Sequence, residues 1–470
     1  MERIHIYHTN DIHSHFENWP RISAYLREEY KRLEQENETV FSFDIGDACD
    51  RVHPLTEATD GKANILLLNE VKYDAVTIGN NEGIGSSKKQ LSHLYDEANF
   101  PVVISNLYDY KTGYPPEWAK MFHIVQTKSG HKIGLFGLTA PFPTSYKPIG
   151  WNVKDPDEVI GDLLEVLSPL VDSVILLSHL GIGEDQRIAE MYPMISVIIG
   201  SHTHHLLPNG RKVRNTLLAA AGKFGQYVGH IELEIDGNRI IAAEATVKET
   251  ATIKPPKNEK WIIESYETKG HQLLNEQVIA TIPTNFSVNW QGNSELVTLG
   301  LEALKEYAHT DAAILNAGLF MQPLIEGTVT KNELHEILPH PMRILRCTLD
   351  GENLIRVIYE MEKNRLFLRN FPIKGIGFRG KVFGEICYNG VTYDKMTGEV
   401  KWLDEPIDAS KQYTFATVDH FMFIPFFPTI EITGTNEVLF PYFIRNVLGQ
   451  YLKKHYPANQ LTESMDKESR

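Results

Sequence analysis

In the first half of the chain, five short apolar runs each end in a small or turn residue followed by Asp, Asn or His. This repetition limits the fold more than any other feature. Ile4 to Tyr7 leads into Thr9-Asn10-Asp11-Ile12-His13, Val40 to Phe43 into Asp44-Ile45-Gly46-Asp47, and Ala75 to Ile78 into Gly79-Asn80-Asn81-Glu82. Val174 to Leu177 leads into Ser178-His179-Leu180-Gly181, and Val197 to Ile199 into Gly200-Ser201-His202-Thr203-His204-His205. Runs of this length and β-branched content read as strands, as do Val102 to Ser105 and Ile133 to Gly137. Between several of them lie residues at helical spacing: Ile22, Leu26 and Leu33; Ile65, Leu68 and Val71; Val159, Leu163, Leu164 and Leu167. Strands alternating with helices predict an α/β domain, in which the ligand crevice lies at the carboxyl ends of strands. The Asp, Asn and His side chains are therefore expected to converge.

Their chemistry is that of a metal site. Asp11 with His13, and His202 with His204, are i, i+2 pairs that point to one side of an extended chain. Imidazole, carboxylate and amide oxygen without a thiolate pair favour a divalent Mn, Fe, Co or Zn ion. Asp11, His13, Asp47, Asn80, His179, His202 and His204 are too many for one ion. They predict two, about 3.5 to 4 Å apart and sharing a carboxylate, an arrangement suited to phosphoester hydrolysis. His5, His8, His93, His123 and His131 fall outside this set and read as structural or exposed, while Asp44 and Glu82 read as loop-orienting groups and Cys49 as packing.

Asp-x-His, Gly-Asp, Gly-Asn-x-Glu, Ser-His-x-Gly and Gly-x-His-x-His, in this order, resemble the metallophosphoesterases, specifically the 5'-nucleotidase family with its added C-terminal domain. The resemblance implies a layered α/β sandwich with helices packed on two mixed sheets, followed by a smaller α/β domain, with substrate held between the two domains. It implies one ion on Asp11, His13, Asp47 and His204 and a second on Asp47, Asn80, His179 and His202, with Asp47 bridging. It also implies hydrolysis of nucleotides or a related small organic phosphate.

The sequence departs from the family at two places. Where the family carries a His-Asp dyad that assists the departing oxygen, this chain has Asn81 and Ile84. Asn81 can donate a hydrogen bond but not a proton, a difference typically worth about 10² to 10⁴ in rate. Gly46-Asp47-Ala48-Cys49-Asp50-Arg51 is similar to the protein phosphatase branch, which makes Asp50 and Arg51 catalytic candidates, with Arg51 the phosphate contact; His15, His53 and His205 are further candidates. In the second domain, Leu315-Asn316-Ala317-Gly318-Leu319-Phe320 is similar to the nucleotidase substrate region, with Phe320 where the family has Arg. Asn316 is then expected to bind the substrate, with its base stacked by Phe378 and one of Phe421, Phe426 or Phe427. The missing dyad leaves alternatives open: a cyclic phosphodiesterase, a diphosphate-bond hydrolase, or a low-turnover sensor of a phosphorylated ligand.

The expected organisation is a metallophosphoesterase domain over 1–250, a linker helix over 251–274, a substrate domain over 275–456 and a polar tail over 457–470. The Pro-rich stretch Thr252 to Lys260 marks the junction. A helix from Ser294 to Tyr307, a strand at Ala312 to Asn316, a helix around Asn353 to Met361 and strand pairs from Lys374 to Tyr393 are expected in the second domain. Lys+Arg at 46 against Asp+Glu at 61, net −15, argue against a nucleic-acid duplex as partner. Two divalent ions would nonetheless make the pocket electropositive toward a small phosphate ester. Three scattered cysteines, no leader-like apolar run at the start and no membrane-length apolar stretch lead to the expectation of a cytoplasmic protein without a membrane partner.

Overall fold

The computed structural model describes residues 1–373, 375 and 377–458. Most of the predicted 457–470 tail therefore lies outside the described residues. The chain forms two compact units that divide at Gly270/His271, within the helix Glu259–Asn275.

The first unit holds two mixed sheets. One runs in the order Arg239–Glu249, Tyr227–Asp236, Glu2–Thr9, Thr39–Asp44, Ala75–Val76; the other in the order Arg211–Val213, Thr216–Ala219, Ile195–Gly200, Ser173–His179, Lys132–Thr139, His123–Gln126. Alternation along the strands explains the layers. Leu135, Ile175, Leu177, Val197 and Ile199 share one core with Ile4, Ile6, Phe41, Phe43, Ile231 and Leu233 of the other sheet. Phe136, Leu138, Leu176 and Ile198 face the opposite way, onto Leu163, Leu164 and Leu167 of the helix Ile160–Leu167. Strands covered on both faces must be apolar at every position, which is why they read as continuous runs. Each such side chain contributes about 1.5–3 kcal/mol on burial.

Parallel register then sets the chemistry. Thr9 lies opposite Asp44, Asp44 opposite Val76, and Ser178 opposite Gly200, so the loops that follow leave the sheets level with one another. The run Val102 to Ser105, predicted as a strand, makes only isolated bridges. Its bonds are divided between the sheets: Val103 N donates to Val76 O at 2.8 Å and Ser105 N to Gly137 O at 2.8 Å. A side chain at Gly137 would lie 2.1 Å from Val103 O, so glycine is required where the run crosses.

The main sheet of the second unit has five strands, ordered Ile386–Asn389, Ala312–Asn316, Gln412–Val418, Arg343–Asp350, Thr435–Phe443, beside a two-stranded and a three-stranded sheet. Its helices Glu295–Ala308, Gly351–Leu368 and Ile444–His455 cover a single apolar core. Ser294 caps the first of these, accepting from Val297 N. The predicted strand pairs from Lys374 onward are confined to Ile386–Asn389 and Val391–Tyr393; residues 379–385 form loop, and Lys374 and Ile376 lie outside the described residues. Among the described residues no helix is long and apolar enough to cross a membrane.

Candidate metal centre

The loops at the strand ends take up backbone conformations that L residues rarely adopt. Asp11 (φ 49°), His13 (φ 50°), Asp47 (φ 51°), His202 (φ 72°) and His204 (φ 57°) are all left-handed. Such strain persists only where neighbouring bonds enforce it. Here Asp11 N donates to Gly46 O at 3.0 Å and His13 N to Asp47 O at 2.8 Å, fastening the first loop to the second. Gly46 has φ 83°, and a Cβ there would lie 2.3 Å from Gly79 N. The buried Glu82 carboxylate accepts from Asp47 N and Gly79 N, both at 2.9 Å, and from Cys49 N at 2.8 Å. One side chain thus fixes the second loop against the third.

These bonds gather the acids and imidazoles. Ligand atoms of Asp11, His13 and His204 all lie within 4.8 Å of one another, as do those of Asp11, Asp47 and His179. Asp47 Oδ2 stands 3.7 Å from His13 Nε2 and 3.4 Å from His179 Nε2, and His13 Nε2 is 3.1 Å from His204 Nε2. His202 flanks the second group, its ring centroid 5.3 Å from that of His179, and its backbone N–H points at the Asp11 carboxylate, 3.2 Å away. Asn81 N donates to Asp47 Oδ1 at 2.7 Å, which brings the loop carrying Asn80 against the same carboxylate.

Electrostatics point to a cation. Burial would push the Asp47 carboxyl up, but His179 and His13 outweigh it and hold the group well below its usual range. Burial would likewise lower His179, yet Asp47 lifts it to about 10. His202 and His204 are pushed down, chiefly by burial. Two atoms test whether metal ions suit the site. His179 Nδ1 donates to Ile45 O at 2.7 Å, leaving its buried Nε2 without a hydrogen bond, and the buried Asn80 Oδ1 also has none. Orphaned acceptors beside a carboxylate are costly unless a cation completes them. The residues present fit divalent ions.

Three groups around the centre escaped the sequence reading. Asn10 Nδ2 donates to Asp11 Oδ2 at 2.9 Å and to Gly222 O at 2.8 Å, and Ser201 Oγ donates to Asp11 Oδ2 at 2.6 Å. Phe224, itself at φ 60°, donates its N–H to Asp11 O at 2.7 Å and sets its ring against His13, His15 and His204. Asn10 and Ser201 abut the motifs and could have been found there; nothing in the sequence near Phe224 announces a loop that returns from the far edge of a sheet.

Other expected site residues are engaged elsewhere. The Arg51 guanidinium, 12% exposed, pairs with Glu57 at 2.8 Å and Asp60 at 2.9 Å, so its charge is met inside the unit instead of facing a phosphate. Asp50 Oδ1 accepts from Val52 N at 3.0 Å, which is turn chemistry. Asn81 Nδ2 is taken up by His13 Nδ1 at 2.9 Å and Cys49 O at 3.0 Å. In the second unit, Phe421 is fully buried among Phe383, Phe427 and His420 and offers no face for stacking. Phe378 is buried and stacked on His340, its ring centroid 5.1 Å away. Asn316 is buried with its Nδ2 on Phe383 O at 2.7 Å. Only Phe426 of this group is partly exposed, against Phe367 and Phe371. These rings were needed to close the core of a small domain.

Comparison with known proteins agrees with this geometry. Residues 4–206 match the calcineurin-like phosphoesterases, and residues 278–423 match the C-terminal domain of 5'-nucleotidases. The chain is 40% identical over 472 residues to the uncharacterized metallophosphoesterase YunD of Bacillus subtilis, covering 95% of this chain and 98% of that one. It is 25% identical to the 5'-nucleotidase of Rattus norvegicus over 71% of this chain and 67% of that protein. The fold is shared with the Haemophilus influenzae NAD nucleotidase NadN, with a TM-score of 0.65 at 17% identity, over 97% of this chain and 96% of that one. Calcineurin-like phosphoesterases use divalent metals, and the clustered acids and imidazoles described above are the groups such ions require. The chain belongs to the metallophosphoesterases of the 5'-nucleotidase family and is a phosphoester hydrolase.

Proposed function

We propose that the chain hydrolyses small phosphate esters, nucleotides or related organic phosphates, in nucleotide catabolism. Two ions, Mn, Zn, Fe or Co, would be held by Asp11, His13, Asp47 and His204 and by Asp47, Asn80, His179 and His202. The observation that carries this reading is the buried His179 Nε2, without a hydrogen bond 3.4 Å from Asp47 Oδ2, together with the orphaned, buried Oδ1 of Asn80 in the loop that packs on Asp47. Such ions, when bound, supply positive charge at the phosphoryl oxygens and lower the pKa of an attacking water.

The chain's own residues prepare the site. The bond from His179 Nδ1 to Ile45 O fixes the tautomer and aims the Nε2 lone pair at Asp47. Asn10 and Ser201 hold Asp11 Oδ2, and Glu82 holds the backbone that presents Asp47. Asn81 orients His13 and has no proton to deliver to a leaving group. That observation favours a second reading, a cyclic phosphodiesterase or diphosphate-bond hydrolase, whose leaving group is acidic enough to depart unaided.

The three buried, unpaired thiols Cys49, Cys347 and Cys387 support the cytoplasm as its compartment.

The test is phosphate release by the Mn-loaded full chain from a panel of nucleoside mono-, di- and cyclic phosphates. Monophosphates as best substrates would support the first reading, and cyclic or diphosphates the second. Release at background on all of them would favour a phospho-ligand sensor. Wherever release exceeds background, Asp47→Ala should lower the rate by on the order of 10³-fold; survival of the rate would sink the metal assignment.

A further inference from the structure

With Arg51 tied to Glu57 and Asp60, a side-chain cation that adds to the charge of the ions must come from elsewhere in the unit. Lys223 stands in that place. It lies on the tight turn Gly222 to Gly225, in which Gly222 (φ 73°), Phe224 (φ 60°) and Gly225 (φ 63°) are all left-handed. The Phe224 N–H on Asp11 O, 2.7 Å, fastens the turn to the first metal loop. Lys223 is half-buried, with Nζ 4.5 Å from the centroid of the Phe224 ring. The same ring lies 3.9 Å from His15, 5.8 Å from His13 and 6.3 Å from His204, centroid to centroid. Among the described residues no carboxylate pairs with Lys223. By contrast, Lys88 pairs with Asp109, Arg21 with Glu259, and Arg187 with Asp157 and Glu184. An ammonium resting on an aromatic face is held loosely, since a cation–π contact at a partly exposed site is worth about 0.5–1 kcal/mol, and a phosphate can draw it away.

We infer that Lys223 is a catalytic residue of this centre, the cation that takes the phosphate oxygens of the substrate on the His204 side. The inference rests on the phosphoester hydrolase reading and adds the group that contacts the anion. Lysine suits the role as a compact charge on a flexible stem, whereas a guanidinium forked between two carboxylates does not.

The test compares the full-length Mn-loaded parent with Lys223→Met and Lys223→Arg, using p-nitrophenyl phosphate turnover and calorimetric binding of inorganic phosphate. Lys223→Met is expected to weaken phosphate binding and lower kcat/KM by roughly tenfold or more. Lys223→Arg should recover most of both, with metal content unchanged in either variant. Phosphate affinity in Lys223→Met within twofold of the parent, or equal losses in the Met and Arg variants, would overturn the inference. A parent that neither binds phosphate nor turns over substrate would instead overturn the reading beneath it, so the two failures are distinguishable.

Discussion

The imidazole of His179 meets the carboxylate of Asp47 across 3.4 Å with no hydrogen available from its own tautomer, because Nδ1–H is committed to Ile45 O at 2.7 Å. Two acceptors therefore face each other in a fully buried place. A proton or a metal ion must lie between them, and the Asp47 carboxylate lifts the His179 imidazole to about 10 against the effect of burial. The strained backbone at Asp11, His13, Asp47, His202 and His204 is the structural cost of holding these groups so close before any ligand arrives.

Glu82 should act on this centre without touching it. Its two oxygens accept three backbone N–H groups, and Glu82→Gln would turn an NH₂ toward at least one of those donors. A loss of about 1–3 kcal/mol in urea unfolding is expected. Mn affinity, measured by equilibrium dialysis, should fall about 10- to 100-fold, as for other groups that orient metal-binding residues.

Asn81→His should change turnover according to the leaving group. The histidine would lose the Nδ2 bonds to His13 and Cys49 O but could supply a proton. Turnover of alkyl phosphates should rise relative to nitrophenyl esters, by up to about 10². Parallel changes for both ester classes would show that proton supply does not limit the parent enzyme.

His420 makes the second unit sensitive to acid. Burial, with His340 nearby, pushes its pKa down to about 3, and among the described residues its Nε2 has no hydrogen bond. Folded His420 stays neutral where the unfolded chain takes up a proton. Its contribution is complete above pH 6.5 and is lost progressively as pH falls from 6.5 toward 3. His420→Phe, surrounded by Phe378, Phe383 and Phe421, should flatten that decline by up to about 1.4 kcal/mol per pH unit, read from urea unfolding between pH 4 and 6.5.

The strands were readable because burial on both faces forces an apolar run, and the loops because Asp, Asn and His recur at five strand ends. Gly46 and Gly79 were visible as turn residues, but their reason was not: each lets another loop's backbone or carboxylate come closer than a side chain would allow. Val102 to Ser105 has the composition of a strand, and only the division of its bonds between two sheets keeps it from being one.

What the sequence by itself determined is the α/β architecture and which residues stand at the strand ends, since these follow from local periodicity and covalent spacing. What only the tertiary structure decided is which side chains remain available. Arg51 is met by Glu57 and Asp60, Phe421 is enclosed by the second core, Asn81 is taken up by His13, and Lys223 rests on the Phe224 ring that packs against His204, from a turn 19 residues further along the chain. Charge and ring type are written in each residue, but burial and partner are set by segments distant in sequence, and those two quantities decide whether a charged or aromatic group meets a substrate or its own protein.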